Sequence, residues 1–394
     1  MYSLYRKIEA YDSIVIFGAS DIGMLIENEI KVYCEETGKS FHFADNSYKK
    51  RSGQQNILQP VDAAAKYPGA TWIIASERHS QSMFNELRQL NIDEKDIIIK
   101  IPADILFRKQ IAEKLKRLTP QGTLLQFDVD VANHCNLNCA GCNAFSPLIK
   151  EPMFADIGTF NRDMSRLSYL LQGNLHQINL LGGEPLLNPQ IEDFIISARK
   201  HFPNTKVTLL TNGMLLHKMS KSFWNTCLEN MIIISVTRYP INFNYDELPA
   251  IAQKHGIEFE YFGIAVEKTS WNLALDPSGM QDPYESFSNC FQANKCVRLK
   301  NGKLATCPPI LNIEIFNKEF GTNMEARSDD YIDIYKAKSG CELLDFLSKP
   351  IPFCRFCDVK NWTFDNPWRT SKREIGEWVL DNGKNVNQCY YPRL

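Results

Sequence analysis

Residues 124–148 read LLQFDVDVANHCNLNCAGCNAFSPL, and the succession of residue types within them decides how the chain is understood. Leu124 to Val131 has the apolar, β-branched content of a buried strand. Directly after it, Cys135, Cys139 and Cys142 form a C-x3-C-x2-C run on one short loop. Three thiolates so placed can each take one iron of a cubane, which ordinarily needs four ligands. The fourth iron is then open, and an open coordination position marks a catalytic metal centre rather than a structural one. A tetrahedral zinc site would want a fourth close ligand, and His134 adjoins Cys135 too directly to close it.

On either side of this stretch the chain alternates between strand and helix patterns. Downstream, strands are predicted at Gln177 to Leu181, Lys206 to Leu210, Met231 to Val236 and Phe259 to Phe262. Helical spacing fills the gaps at Gln190 to Lys200, Lys218 to Glu229 and Tyr245 to His255. Repeated β/α units with short connections specify an α/β fold, a parallel barrel or open parallel sheet, with functional loops at the carboxyl ends of strands. Upstream, Ser13 to Phe17, Met24 to Cys34, Phe41 to Ala44, Thr71 to Ala75 and Ile97 to Ile101 outline a smaller α/β unit. A basic helix from Arg108 to Arg117 and the turn Thr119-Pro120-Gln121-Gly122 end it. After about residue 265 periodicity fades and Pro, Asn, Asp and Cys accumulate, so metal bonds are expected to supply much of the order there. Three domains follow: 1–118, 119–285 and 286–394.

The cysteine loop resembles the signature of the radical S-adenosylmethionine (SAM) superfamily, and two further motifs match that family in order. Gly182-Gly183-Glu184-Pro185 follows the second strand of the central domain, and Thr211-Asn212-Gly213 ends the third. The resemblance implies a partial (β/α)6 TIM-like barrel, a [4Fe-4S] cluster with an open site, and SAM bound by that cluster. It assigns the amino group of SAM to the Gly182 to Pro185 stretch, where a glycine pair permits close backbone approach. Thr211, Asn212 and Gly213 would line its ribose and methionine portions. Ser235, Thr237 and Arg238 end the fourth strand, and Arg238 is suited to pair with the SAM carboxylate. The residue before the last cluster cysteine, usually aromatic in the family, is Gly141; Phe145, in Phe145-Ser146-Pro147, is the substitute for seating adenine. The implied chemistry is one-electron reduction of the cluster by an external donor such as flavodoxin or ferredoxin. SAM then yields methionine and a 5′-deoxyadenosyl radical that abstracts hydrogen from substrate.

The later cysteines resemble the opening of the SPASM and twitch extensions of radical SAM enzymes, which bind auxiliary Fe-S clusters. Cys290, Gly302 and Cys307 have that spacing, and Cys354 and Cys357 form a C-x2-C pair. With only Cys389 beyond them, one auxiliary [4Fe-4S] cluster is expected, held by Cys290, Cys307, Cys354 and Cys357. Cys296 is the rival of Cys290, and zinc on four thiolates is the alternative occupant. Cys34, Cys227 and Cys341 read as buried thiols. At the other end, Ile14 to Phe17 followed by Gly18-Ala19-Ser20-Asp21-Ile22-Gly23 resembles a Rossmann opening in which Ser20 replaces the second glycine. Asp45 stands where an acid can bond a ribose, so this domain is either a sugar-nucleotide or nucleoside module or a docking unit without ligand.

With 44 basic against 46 acidic residues the net charge is -2, which gives no global field for nucleic acid or an anionic membrane. No apolar run is long enough to span a bilayer and residues 1–13 lack a signal-peptide core, so a cytoplasmic protein is expected. A small or carrier-linked substrate is favoured, such as a sugar or sugar nucleotide undergoing oxidation, epimerisation or rearrangement. The competing expectations are a SPASM-type maturase acting on a ribosomally made peptide and a non-catalytic Fe-S or zinc scaffold. Tyr239, Arg238 and Glu267 are placed near the barrel mouth, without an assigned catalytic role.

Overall fold

The computed structural model describes residues 8–47, 57–76, 79–98, 124–263, 268–290, 292–293 and 296–380. The sequence readings at 108–122, Glu267 and Cys389 lie outside them. No helix among the described residues is long and apolar enough to cross a membrane. Packing divides the chain into two units. The first comprises residues 1–124, 287–294 and 341–350, and the second residues 125–286, 295–340 and 351–394.

The first unit is built on β1 (Ser13–Phe17), β2 (Ser40–Ala44), β3 (Thr71–Ile74) and β4 (Ile97–Ile98). They form a parallel sheet in the order β2-β1-β3-β4. Because successive side chains of a strand point to opposite faces, Val15 and Phe17 join one apolar cluster with Trp72, Phe84 and Leu87, while Ile14 and Ile16 join another with Ile26 and Ile30. The second cluster belongs to α1 (Asp21–Thr37), and the first to α2 (Pro60–Lys66) and α3 (Ser80–Gln89). A sheet covered on both faces explains why its strands are almost continuously hydrophobic. At the β1–α1 turn, a Cβ on Gly23 would stand 2.1 Å from the Gly18 carbonyl oxygen, so glycine is needed for the helix to pack on the strand. Asp45 is turned onto the protein itself: its carboxylate accepts from the backbone of Ala19 at 2.8 Å and Ser47 at 2.7 Å.

The second unit contains an eight-stranded sheet. Its strands are β5 (Leu124–Ala132), β6 (Leu175–Gly182), β7 (Lys206–Thr211), β8 (Ile232–Val236), β9 (Glu258–Tyr261), β11 (Arg298–Lys300), β12 (Lys303–Ala305) and β13 (Ile332–Asp333). The order is β13-β12-β11-β5-β6-β7-β8-β9. Strands β6 to β9 run parallel, and β11 runs parallel to β5. Between them lie α4 (Ile157–Leu171), α5 (Ile191–His201), α6 (Lys221–Glu229) and α7 (Leu248–Lys254). This is the α/β architecture expected from the alternation, arranged as the partial barrel that the family resemblance implies. Helix α4 begins where the Asp156 side chain accepts from Thr159 N at 2.7 Å, and it buries Phe160, Met164, Leu167 and Leu171 at helical spacing. The Asn301-Gly302 pair has φ of 49° and 75°, the left-handed conformation that a two-residue hairpin between β11 and β12 requires.

The segment after residue 265 is more regular than its composition suggests. It includes β10 (Ser270–Asn272), α8 (Pro283–Asn289), α9 (Pro308–Phe320), α10 (Gly340–Leu347) and β14 (Thr363–Asn366), which pairs antiparallel with β10. Helix α9 opens with Pro308 and Pro309 at positions that lose no helical hydrogen bond, and it is held by burial of Ile310, Ile313 and Phe316. Tertiary packing here overrides the modest helix propensity of its β-branched residues.

Candidate functional site

Two opposed faces of the second unit's sheet set the stage. Phe127, Val129 and Val131 of β5 alternate with Asp128 and Asp130, so one face is apolar and the other polar. The register carries this face across neighbouring strands: Asp128 is opposite Arg298 and Asn179 opposite Thr208, while Ser235 on β8 shares the face with the apolar Leu210 and Ile233. Arg298 donates to Asp130 Oδ1 at 2.9 Å and lies 3.8 Å from Asp128 Oδ2. Asn179 donates to Asp128 at 2.7 Å, Asn312 to Asp130 at 3.1 Å, and Lys300 to Asn312 at 2.7 Å. Burial opposes the charge on Arg298, but Asp130 and Asp128 outweigh it and hold its pKa above the ordinary value. Burial likewise raises the pKa of Asp128. Among the described residues, Thr208 Oγ1, Ser235 Oγ and Arg298 Nε are buried on this face without a hydrogen-bond partner.

The motif residues collect at the carboxyl ends of these strands. Gly182, with φ of 137°, ends β6; a Cβ there would be 2.0 Å from Ala132 O, and one on Gly183 would be 2.2 Å from His134 O. The backbones are joined there, Gly183 N to Ala132 O at 2.7 Å and Glu184 N to His134 O at 3.1 Å. The close approach this glycine pair permits is therefore to the start of the cysteine loop. Glu184 is fully buried, and its carboxylate accepts from Thr211 Oγ1 at 2.6 Å, Asn212 N at 2.9 Å and Leu186 N at 3.1 Å. Pro185 opens the short helical turn that follows. Asn212 donates on to Asn136 at 2.6 Å, and the Gly213 N–H bonds Thr211 Oγ1 at 3.0 Å. Glu184 thus buckles the ends of β6 and β7 to the cysteine loop.

Desolvation pushes the pKa of Glu184 up to about 7 from 4.5, against the three donors that pull it down. The folded protein holds a proton that the unfolded chain releases between those values. Its contribution to stability is complete below pH 4.5 and is lost as pH rises through 7, a change of about 3 kcal/mol. Urea midpoints measured near pH 5 and pH 8 should differ less in Glu184→Gln than in the parent; an equal difference would remove this assignment.

Within the cysteine loop, Leu137 N donates to Cys135 Sγ at 3.4 Å. Tyr239, after β8, directs its hydroxyl at Cys139, and the Trp368 indole also faces that sulfur. Burial nevertheless dominates, raising the Cys135 thiol to about 12 and Cys139 to about 11. The loop is strapped by a later segment: Ala140 N bonds Arg369 O at 3.0 Å, Ser371 N bonds Asn138 O at 2.8 Å, and Trp378 Nε1 bonds Cys142 O at 2.8 Å. Glu377, almost fully buried, accepts from Arg369 at 2.6 Å, Lys372 N at 2.8 Å and the Ser371 hydroxyl, which locks the strap. Gly141 has φ of 69° and lies against the Trp271 carbonyl. Phe145 is wholly buried, its ring packed on Phe316 and Trp378. Thr237 N bonds Thr211 O at 3.0 Å, and the Arg238 guanidinium lies between Tyr245 and Tyr261, 3.4 Å from Asp246.

Residues 129–242 match the family model of the Radical SAM superfamily. The chain carries a radical SAM domain. Among curated relatives, the radical SAM region is similar to GTP 3',8-cyclase of Helicobacter pylori, 27% identical over 139 residues, which are 34% of this chain and 40% of that protein. It is also similar to 7-carboxy-7-deazaguanine synthase of Methanothermobacter thermautotrophicus, 33% identical over 114 residues, 28% of this chain and 43% of the relative. The chain thus spans about two fifths of the length of these relatives. Among solved structures, it is similar to BtrN in complex with AdoMet and 2-DOIA, with a TM-score of 0.38 and 18% identity over 60% of this chain and 94% of that one. For anSMEcpe with bound AdoMet the TM-score is 0.29 at 21% identity, covering 35% and 42% respectively.

The donor set of the radical SAM domain suits a cubane. Among the described residues, no three His, Cys, Asp or Glu side chains converge tightly enough to enclose a single metal ion. A cubane asks for less convergence, because each thiolate takes a different iron. Of the later cysteines, Cys354 and Cys357 share one turn, with Cys357 N bonded to Cys354 O at 3.2 Å. Cys307 precedes α9, and the backbone of Ala293 donates to Cys290 Sγ at 3.2 Å. Cys290 belongs to the first unit and Cys296, Cys307, Cys354 and Cys357 to the second. The strap residues Trp368, Glu377 and Trp378, and the lysine at position 268, were not singled out by sequence reasoning. They form no motif, and reach the loop from more than a hundred residues away.

Proposed function

We propose that this protein is a radical SAM enzyme acting on a small, hydroxyl-rich substrate such as a sugar or nucleotide, with Cys135, Cys139 and Cys142 holding a [4Fe-4S] cluster. When bound, that cluster and SAM supply a 5′-deoxyadenosyl radical for hydrogen abstraction. Gly182 to Pro185, Thr211 to Gly213, Ser235, Thr237 and Arg238 are the residues assigned to SAM, and Arg238 offers a guanidinium for its carboxylate. Phe145, the residue assigned to adenine, would support that seat from within the core, where it packs on Phe316 and Trp378. An auxiliary [4Fe-4S] cluster on Cys307, Cys354 and Cys357, with the fourth thiolate from Cys290 or Cys296, would accept an electron from a substrate radical and favour net oxidation.

The polar sheet face carries the substrate reading. Buried hydroxyls and guanidinium nitrogen without partners are costly unless something bonds them. Thr208, Ser235 and Arg298 provide such groups on the sheet face that also carries Asp128 and Asp130, which are paired with Arg298. A neutral polyhydroxy ligand meets that demand better than a peptide's apolar side chains. The names of the curated relatives, which specify GTP and a deazaguanine, also favour a small polar substrate.

The test is anaerobic reconstitution with iron, sulfide and SAM, an external one-electron donor, and deuterium-labelled sugars, nucleotides and peptides. Label is expected in 5′-deoxyadenosine with a sugar or nucleotide. Label from peptides alone would favour the peptide-maturase alternative, and absence of 5′-deoxyadenosine under all conditions would overturn the enzymatic reading.

A further inference from the structure

Lys268 is a partly buried lysine threaded between two segments that touch the cysteine loop. Its backbone N–H bonds Arg238 O at 2.8 Å, next to Tyr239, whose hydroxyl faces Cys139. Three residues later, the Trp271 carbonyl oxygen would stand 1.7 Å from a Cβ on Gly141, between Cys139 and Cys142. The Lys268 ammonium lies 3.8 Å from the centroid of the Trp271 ring, a cation–π contact that holds it on the residue whose carbonyl meets Gly141. Burial lowers its pKa, and the groups that draw it back up are Cys139, Cys142 and Cys296.

We propose that Lys268 is a positioning residue for the cluster's electronics: its ammonium, held by Trp271 beside Cys139 and Cys142, raises the reduction potential of the loop's [4Fe-4S] cluster. The inference rests on the cluster reading above. Adding an electron to a thiolate-ligated cubane increases its negative charge, and a fixed cation in a poorly solvated site stabilises the reduced form more than the oxidised form. Cluster potentials respond to net local charge and to groups outside the ligand set. Lys268 would therefore govern how readily an external one-electron donor loads the site, without touching substrate.

The test is a redox titration of anaerobically reconstituted protein, following the electron paramagnetic resonance signal that changes on addition of SAM, together with iron content. Lys268→Met and Lys268→Gln are expected to shift the midpoint to more negative potential. At a donor potential that half-reduces the parent, the reduced fraction should fall several-fold, while Lys268→Arg stays close to the parent. Equal midpoints in the parent and Lys268→Met, or an equal fall in Lys268→Arg, would overturn the inference alone. Loss of iron uptake in both neutral variants but not in Lys268→Arg would assign the lysine to assembly and overturn it too. Absence of an Fe-S chromophore from the parent would overturn the cluster reading and this inference with it.

Discussion

Protein in which Cys135, Cys139 and Cys142 are all changed to alanine is expected to lose the Fe-S absorbance contributed by this loop and to release no 5′-deoxyadenosine above background. Altering a group merely hydrogen-bonded to a ligand commonly costs about 10- to 100-fold in metal affinity or activity. Removing a ligand should exceed that, because no other thiol is held on the loop to replace it. Each single change to alanine is expected to reduce SAM cleavage by roughly 100-fold or more. The fold should persist: Ala140 N to Arg369 O, Ser371 N to Asn138 O and Trp378 Nε1 to Cys142 O all use backbone atoms of the loop. Iron analysis, absorbance and circular dichroism on the same samples separate cluster loss from unfolding. SAM cleavage at parental rate in the triple variant would defeat the assignment.

The parts of this site that sequence makes legible are those whose chemistry is local. Strand β5 and its three cysteines lie within one short stretch, and the alternation of Phe127, Val129 and Val131 with Asp128 and Asp130 is enough to define the strand. The ends of β6, β7 and β8 are legible for the same reason, and the loops after them coincide with the expected motifs. Glu184 is different. Its residue type and position were expected, but its bonds to Thr211 and Asn212 come from the next strand end, so only topology reveals that it braces the framework. The strap is less legible still. Trp378 meets Cys142 across 236 residues, and Glu377 holds the strap through neighbours that carry no metal or SAM signature. Helix α9 was hidden by composition: Pro308 and Pro309 suggest irregular chain until their place at the first helical positions is seen.

Replacing Gly141 with tyrosine, which installs the aromatic residue that the resemblance leads one to expect before the last cluster cysteine, should damage the protein instead of improving it. Two costs combine. The backbone at Gly141 has φ of 69°, a left-handed conformation that costs an L-residue roughly 1–2 kcal/mol. A Cβ would also fall 1.7 Å from the Trp271 carbonyl oxygen and 2.9 Å from its carbon, so backbone must move, and overpacking of this kind costs typically about 1–3 kcal/mol. Together they predict a loss of about 3 kcal/mol, with β10 pushed away from the cysteine loop. Gly173 provides the control. Its φ is 71°, but no heavy atom of the described residues lies within 4 Å of the position of an added Cβ, so Gly173→Ala should show only the conformational cost of roughly 1–2 kcal/mol. Denaturant unfolding of Gly141→Ala, Gly141→Tyr and Gly173→Ala would separate the two contributions. If Gly141→Ala costs no more than Gly173→Ala, the Trp271 carbonyl does not constrain the loop. If it costs clearly more, the glycine is required by the strand passing beside it, and an aromatic group for adenine must come from another part of the site.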